Sequence, residues 1–126
     1  MNIATINVRG INNPIKRKTI FHWLENKKFD IICLQETFCT QNSLEKITND
    51  WDGLSYHCTS PSSHAKGVSI LFNKNLDFNI ISIHYCNEGR KLLINFEHKD
   101  QSYTIVNLYA PTDQTPRKKI LKQSQV

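Results

Sequence analysis

The 126-residue sequence encodes an α/β protein, a mixed β-sheet with helices on the outside, and three features say so. The segment Phe29-Asp30-Ile31-Ile32-Cys33-Leu34-Gln35-Glu36 has a continuous apolar centre, the signature of a strand buried on both faces and hence central and parallel. Asn13 before Pro14 is a helix-start signal, and it lies between that strand and an earlier alternating segment, giving strand, helix, strand. Beyond Gly67 the texture changes to short alternating segments parted by turn residues, as in a meander.

Residues 2–8 alternate, with Ile3, Thr5 and Asn7 on one face and Ala4, Ile6 and Val8 on the other. Gly10, Asn12, Asn13 and Pro14 break the strand, and a helix is expected from about Pro14 to Lys27. Ile20, Trp23, Leu24 and Lys27 recur at helical spacing as its apolar stripe, the Lys27 stem at the rim. Lys16, Arg17 and Lys18 sit near its N-terminal end against the dipole preference, which suits either a phosphate partner or a solvated face. After the buried strand, Ser43 is placed to cap a short helix carrying Leu44, Ile47 and Trp51, ended by Asp52-Gly53. Residues 59–66 read as a polar loop. Strands follow over Val68–Phe72, Phe78–His84, Leu92–Glu97 and Tyr103–Tyr109, with turns at Asn73-Lys74-Asn75, Asn87 to Arg90 and His98 to Gln101. Thr115-Pro116 repeats the cap-plus-proline signal, predicting a helix through Arg117 to Lys122 that reaches Val126 without a closing signal; a basic tail is the alternative.

Composition narrows the function classes. Sixteen Lys and Arg against eleven Asp and Glu give a net charge of +5, which favours a polyanionic partner, nucleic acid first and an anionic membrane second. The cysteines at 33, 39, 58 and 86 contain no C-x₂-C pair, and the five histidines do not complete a zinc site. Reduced thiols in an intracellular protein is the plain reading. Met1 to Asn7 lacks the basic and apolar regions of a signal peptide, and no apolar stretch approaches the roughly twenty residues of a membrane span. A soluble protein of the cytosol or nucleus is expected, with no membrane partner.

Three strands end in polar residues. Ile3 to Ile6 runs into Asn7, Ile31 to Leu34 into Gln35-Glu36, and Ile105 to Leu108 into Tyr109. Alternation places Glu36 with Ile32 and Leu34, and Tyr109 with Ile105 and Asn107. Ligands of α/β folds collect beyond the C-terminal ends of strands, so an amide, a carboxylate and a phenol there form a candidate site. Mg²⁺ takes oxygen ligands, keeps most of its waters and needs only one or two carboxylates. Glu36 supplies one, Asn7 can orient it or a bound water, and Tyr109 can hydrogen-bond a phosphate oxygen. Each also has a structural reading: a turn amide, a charge at a helix N-terminus, a strand-end aromatic.

Five blocks occur in order: Asn7-Val8-Arg9-Gly10-Ile11-Asn12, Leu34-Gln35-Glu36-Thr37, Gly67-Val68-Ser69-Ile70-Leu71, Glu88-Gly89-Arg90 and Asn107-Leu108-Tyr109-Ala110-Pro111. In this the sequence resembles the endonuclease/exonuclease/phosphatase superfamily, most nearly the apurinic-endonuclease-like domain of LINE-type retrotransposons and, more distantly, exonuclease III. The resemblance runs from about residue 2 to about residue 122 and covers about the first half of the family's domain. It implies the N-terminal portion of a four-layer α/β sandwich, two mixed sheets face to face with helices outside, as one incomplete domain over 1–126. It implies Mg²⁺, with Mn²⁺ as a substitute, as cofactor, no small-molecule cofactor, and DNA as partner. Asn7 and Glu36 match the family's metal-site amide and glutamate, and Tyr109 its active-site tyrosine, while Arg9, Lys16 and Arg17 are candidate nucleic-acid contacts. The implied reaction is metal-assisted phosphodiester hydrolysis.

The sequence departs from the family pattern in lacking a Gly-Asp-Phe-Asn strand and a Ser-Asp-His triplet. The chain is therefore expected to be inactive alone, and marginally stable with one sheet face uncovered. The competing expectations are a non-catalytic basic nucleic-acid-binding fragment and a phosphatase-branch member of the same superfamily.

Overall fold

The computed structural model of the chain describes residues 1–86 and 88–110 throughout and residues 118–123 as backbone. Two four-stranded sheets lie face to face. Sheet A has the order β1-β2-β4-β3, from β1 (Ile3–Asn7), β2 (Ile31–Gln35), β3 (Ser55–Cys58) and β4 (Val68–Phe72). It is mixed: β1 and β2 are parallel, and β4 is antiparallel to both β2 and β3. Sheet B is antiparallel, in the order β5 (Asn79–Tyr85), β6 (Lys91–His98), β7 (Gln101–Leu108), β8 (Lys118–Gln123). Helices α1 (Pro14–Lys27) and α2 (Leu44–Asp50) cover the outer face of sheet A. The architecture is the predicted α/β one, seen as three layers among the described residues.

The alternation in each strand sorts side chains between two cores. Ala4, Ile6, Ile32, Leu34 and Leu71 point toward the helices and meet Phe21, Leu24, Ile47 and Trp51. Ile31, Cys33, Val68, Ile70 and Phe72 point the other way and meet Leu92, Ile94, Phe96 and Ile105 of sheet B. β2 contributes to both, so all five of its residues are buried, as its apolar run requires. At the inter-sheet centre Phe72 stacks on Phe78 with centroids 4.3 Å apart and meets Phe96 edge-on at 5.6 Å. Among the described residues the four cysteines form no disulfide. Burial pushes the Cys39 thiol up to about 11, as suits an inert structural thiol.

Helix α1 begins where the sequence places it. Asn13 Oδ1 accepts from the amides of Ile15 at 2.9 Å and Lys16 at 3.0 Å, with Pro14 at the first helical position. Its buried stripe differs from the expected one. Arg17, Phe21 and Leu24 are buried with Ile20 beside them, whereas Trp23 is 50% exposed and carries Lys27 5.3 Å above its ring. The true stripe is rotated toward Arg17 because that side chain, apolar along its stem, is held inward by Asp50 (N–O 2.8 Å) at the end of α2.

Three further departures have physical causes. Ser43 does not cap α2 with its side chain; its hydroxyl instead accepts from the Thr40 amide at 3.0 Å in the preceding turn. β3 was hidden behind the short Leu54-Ser55-Tyr56-His57-Cys58 alternation, too brief to stand out locally, and it forms by pairing with β4. The helix expected over Arg117 to Lys122 is a strand over Lys118–Gln123, antiparallel to β7, because the second edge of β7 offers a ladder of backbone donors and acceptors that local helix signals cannot weigh. The cap at Thr115-Pro116, Arg117 and the start of the Asn87 turn lie outside the described residues. No helix among the described residues is long and apolar enough to cross a membrane.

Candidate metal and phosphate site

The C-terminal ends of β1, β2 and β7 and the start of β4 come to the same end of the sandwich, where four connecting segments are tied by main-chain hydrogen bonds. The Gly10 amide donates to Glu36 O at 2.6 Å and that of Ile11 to Thr37 O at 3.0 Å. Thr37 donates to Gly67 O at 3.0 Å, Gly67 to Gly89 O at 2.9 Å, and Tyr109 to Arg90 O at 2.7 Å. This interlacing forces uncommon backbone conformations: φ is 51° at Arg9, 54° at Glu36, 61° at Phe38 and 62° at Lys66. Such residues each cost on the order of 1–3 kcal/mol and gather at functional sites.

The turn at Gly67 is closed too tightly for a side chain. A Cβ there would stand 2.4 Å from Thr37 Oγ1 and 3.0 Å from Phe38 N, with φ at +87°. Gly67→Ala is expected to lose about 2 kcal/mol of stability from strain and displacement of the Thr37 turn, read as a lower urea midpoint. An unchanged midpoint would contradict the close approach.

Within this frame Asn7 and Glu36 meet. Asn7 Nδ2 donates to Glu36 Oε2 at 2.7 Å, while Asn7 Oδ1 accepts from the Arg9 amide at 3.2 Å. The carboxylate reaches the amide for a reason the alternation rule misses. Glu36 was expected on the helix-facing side with Ile32 and Leu34, but the left-handed turn at Glu36 ends the pleat and redirects its side chain to Asn7. Tyr109 is half-buried, packed against the inter-sheet core on the face of Ile105, as alternation predicts.

The candidate cations divide. Arg9 is exposed, and Lys16 Nζ donates to Arg9 O at 2.8 Å, which brings the ammonium beside the loop that follows Asn7. Lys66 and Arg90 stand on the adjoining segments, and Arg90 lies 3.4 Å from Glu88; composition alone did not single these two out. Arg17, read as a nucleic-acid contact, is corrected: it is 4% exposed and its guanidinium is spent on Asp50, Ile11 O and Asn12 O. A buried guanidinium already spent on these partners is not presented to a phosphate.

The donor set fits one kind of ion. Among the described residues no three His, Cys, Asp or Glu side chains cluster to enclose a metal. One carboxylate oriented by an amide at an open strand end suits a hard cation that keeps its waters, and excludes a closed zinc cage. The described hollow of about 690 Å³, lined by Met1, Asp30, Asn73 and Lys99, lies at the opposite end of the sandwich.

Known proteins resemble the chain in sequence and in fold. The chain is 27% identical over 114 residues to the Transposon TX1 uncharacterized 149 kDa protein of Xenopus laevis, covering 89% of this chain and 8% of that protein. It is 30% identical over 110 residues to Craniofacial development protein 2 of Bos taurus, covering 87% of this chain and 18% of that protein. The chain thus spans less than a fifth of the length of either relative. In fold it is similar to the Xenopus laevis APE2 catalytic domain, with a TM-score of 0.57 at 22% identity over 89% of this chain and 46% of that one. A functionally unknown conserved protein from Enterococcus faecalis V583 gives a TM-score of 0.59 at 15% identity, covering 86% of this chain and 52% of that one. Residues 4–122 match the Endonuclease/Exonuclease/phosphatase family, and the chain belongs to it.

Proposed function

We propose that this chain carries the metal-and-phosphate half of an Mg²⁺-dependent DNA endonuclease of the LINE-type, apurinic-endonuclease-like kind. The observation that carries the proposal is the Asn7–Glu36 hydrogen bond of 2.7 Å at the ends of two parallel strands, with Arg9 and Lys16 beside it. Family membership supports phosphoester hydrolysis, and a transposon protein among the relatives supports the retrotransposon branch. Glu36 and Asn7 would hold the ion, Mg²⁺ or Mn²⁺, whose chemistry there is to stabilise charge on phosphate oxygens. Asn7 fixes the carboxylate by donating to Oε2. Tyr109 contributes a phenolic donor for a phosphate oxygen, and Arg9 and Lys16 attract the DNA backbone. The burial of Arg17 removes one of the cations on which a purely binding role would rest.

Mn²⁺ binding read by water-proton relaxation tests the metal assignment. Glu36→Gln, which keeps shape and removes the charge, is expected to weaken binding about tenfold or more; an unaltered titration would refute it. Since the sequence lacks Gly-Asp-Phe-Asn and Ser-Asp-His, plasmid DNA with Mg²⁺ and this chain alone is expected to stay supercoiled. Nicking at the rate of a complete relative, abolished by Glu36→Ala, would overturn that expectation.

A further inference from the structure

The face between the sheets is lined by Ile31, Cys33, Val68, Ile70, Leu92 and Ile94, but one level of it is polar. Gln35 Nε2 donates to Thr5 Oγ1 and to Asn107 Oδ1, each at 2.8 Å. Asn107 Nδ2 in turn donates to Leu34 O at 2.9 Å and Ser69 O at 2.8 Å. Gln35 is 1% exposed and Asn107 0%. Two buried amides in an apolar layer hold their places only because their partners are supplied; a contact of directional bonds also specifies geometry, as apolar contact does not.

The place of this network in the chain gives it meaning. Thr5 lies two residues before Asn7, Gln35 one before Glu36, and Asn107 two before Tyr109. Asn7 and Glu36 end adjacent strands of sheet A, so the β1–β2 ladder already sets their spacing. Tyr109 follows β7 in sheet B, and no ladder joins β7 to β2. The side-chain bonds from Asn107 to Gln35, Leu34 and Ser69 are what tie β7 to sheet A at this level.

We infer that Gln35 and Asn107 are positioning residues, a directional clamp between the sheets that holds Tyr109 in register with Asn7 and Glu36. The inference rests on the metal-and-phosphate reading of those three residues. The amides touch neither ion nor phosphate; they act through the strand ends.

The test uses the ¹⁵N-labelled chain titrated with Mn²⁺, reading paramagnetic broadening at the amides of Asn7, Glu36 and Tyr109. In the parent the three broaden together. Gln35→Met combined with Asn107→Leu removes the two amides at once and replaces them with apolar groups, a change that folds can absorb. In it Mn²⁺ affinity is expected to fall about tenfold, as when a metal ligand's outer support is lost, with Tyr109 no longer broadening alongside the other two. Asn107→Ser, which keeps a hydroxyl donor, is expected to shift both readouts the same way and serves if the double variant does not fold. Ile105→Val thins the same interface without touching the clamp, and it should lower the melt while leaving Mn²⁺ affinity and joint broadening as in the parent. Parent-like affinity and joint broadening in a folded clamp variant would overturn the clamp alone, as would an equal loss in Ile105→Val. No broadening at Asn7 and Glu36 in the parent would overturn the metal reading and the clamp with it.

Discussion

Replacing Arg17 by methionine is expected to destabilise the chain by about 3 kcal/mol, among the largest effects of any single polar substitution in it. Arg17 is 4% exposed, and its guanidinium meets three partners at once. Nε and Nη2 each lie 2.8 Å from Asp50 Oδ2, and Nη1 donates to Ile11 O and Asn12 O, both at 3.1 Å. It thereby joins α1, the end of α2 and the loop leaving β1. Methionine fills the stem's volume, so the loss is not one of packing. What remains is the Asp50 carboxylate, with its side chain only 22% exposed, at the C-terminal end of a helix where a negative charge is disfavoured. Two carbonyls also lose their donor. Urea melts of the parent and Arg17→Met at neutral pH measure the difference. Arg17→Met with Asp50→Leu is expected to recover part of it, because a buried pair removed together leaves no orphan charge. Equal midpoints for the parent and the single variant would mean that the pair is electrostatically idle.

Arg17 also shows where the sequence was readable and where it was not. Lys16-Arg17-Lys18 looks like a solvated or phosphate-binding charge run, yet Arg17, Phe21 and Leu24 keep helical spacing, and that stripe would have marked Arg17 as inward. The partner, Asp50, lies thirty-three positions away, and no local pattern names it. The local signals that worked are those enforced by backbone chemistry: the Asn13-Pro14 cap, the two-face burial of β2, and the Lys99-Asp100 turn, whose φ values of 51° and 63° suit a tight hairpin. Asn7 and Glu36 were legible as strand-end polar residues because alternation and strand length located the ends. Their mutual contact was legible only as one of two options for Asn7, because the choice depends on a left-handed turn at Glu36 that no glycine announces. Gln35 and Asn107 stood inside recognised blocks but read as strand residues; only the stacking of the sheets turns them toward each other. The strand over Lys118–Gln123 was missed for the same kind of reason, since an edge of β7 outweighs a local helix signal.

Acidification is expected to remove about 3 kcal/mol of stability through His57 alone, between roughly pH 6.5 and pH 4. His57 is 6% exposed on β3, and burial pulls its pKa down from 6.5 to about 4. Its two ring nitrogens contact Ser69 Oγ at 2.6 Å and Ser55 Oγ at 3.0 Å, hydroxyls that can donate or accept to suit a neutral ring. No carboxylate is among these partners, so a proton on the ring would be an uncompensated buried charge. Because the folded pKa lies below the unfolded one, the unfolded chain binds the proton first as pH falls. Stability is therefore full above about pH 6.5, declines through the window, and levels off for this group below about pH 4. Roughly 2 kcal/mol of the loss is expected by pH 5. His57→Gln keeps a polar side chain between the two serines but cannot titrate. Urea melts at pH 7 and pH 5 should show the parent losing about 2 kcal/mol more than His57→Gln, so that other titrating groups cancel in the comparison. Parallel losses in the two proteins would place the acid sensitivity elsewhere. Ser69 links this result to the site: its hydroxyl contacts His57 on the helix side of sheet A, while its carbonyl accepts from Asn107 on the other. Only below about pH 4, where the folded ring itself takes up the proton, would the charge sit beside Ser69, the residue whose carbonyl anchors the inter-sheet clamp.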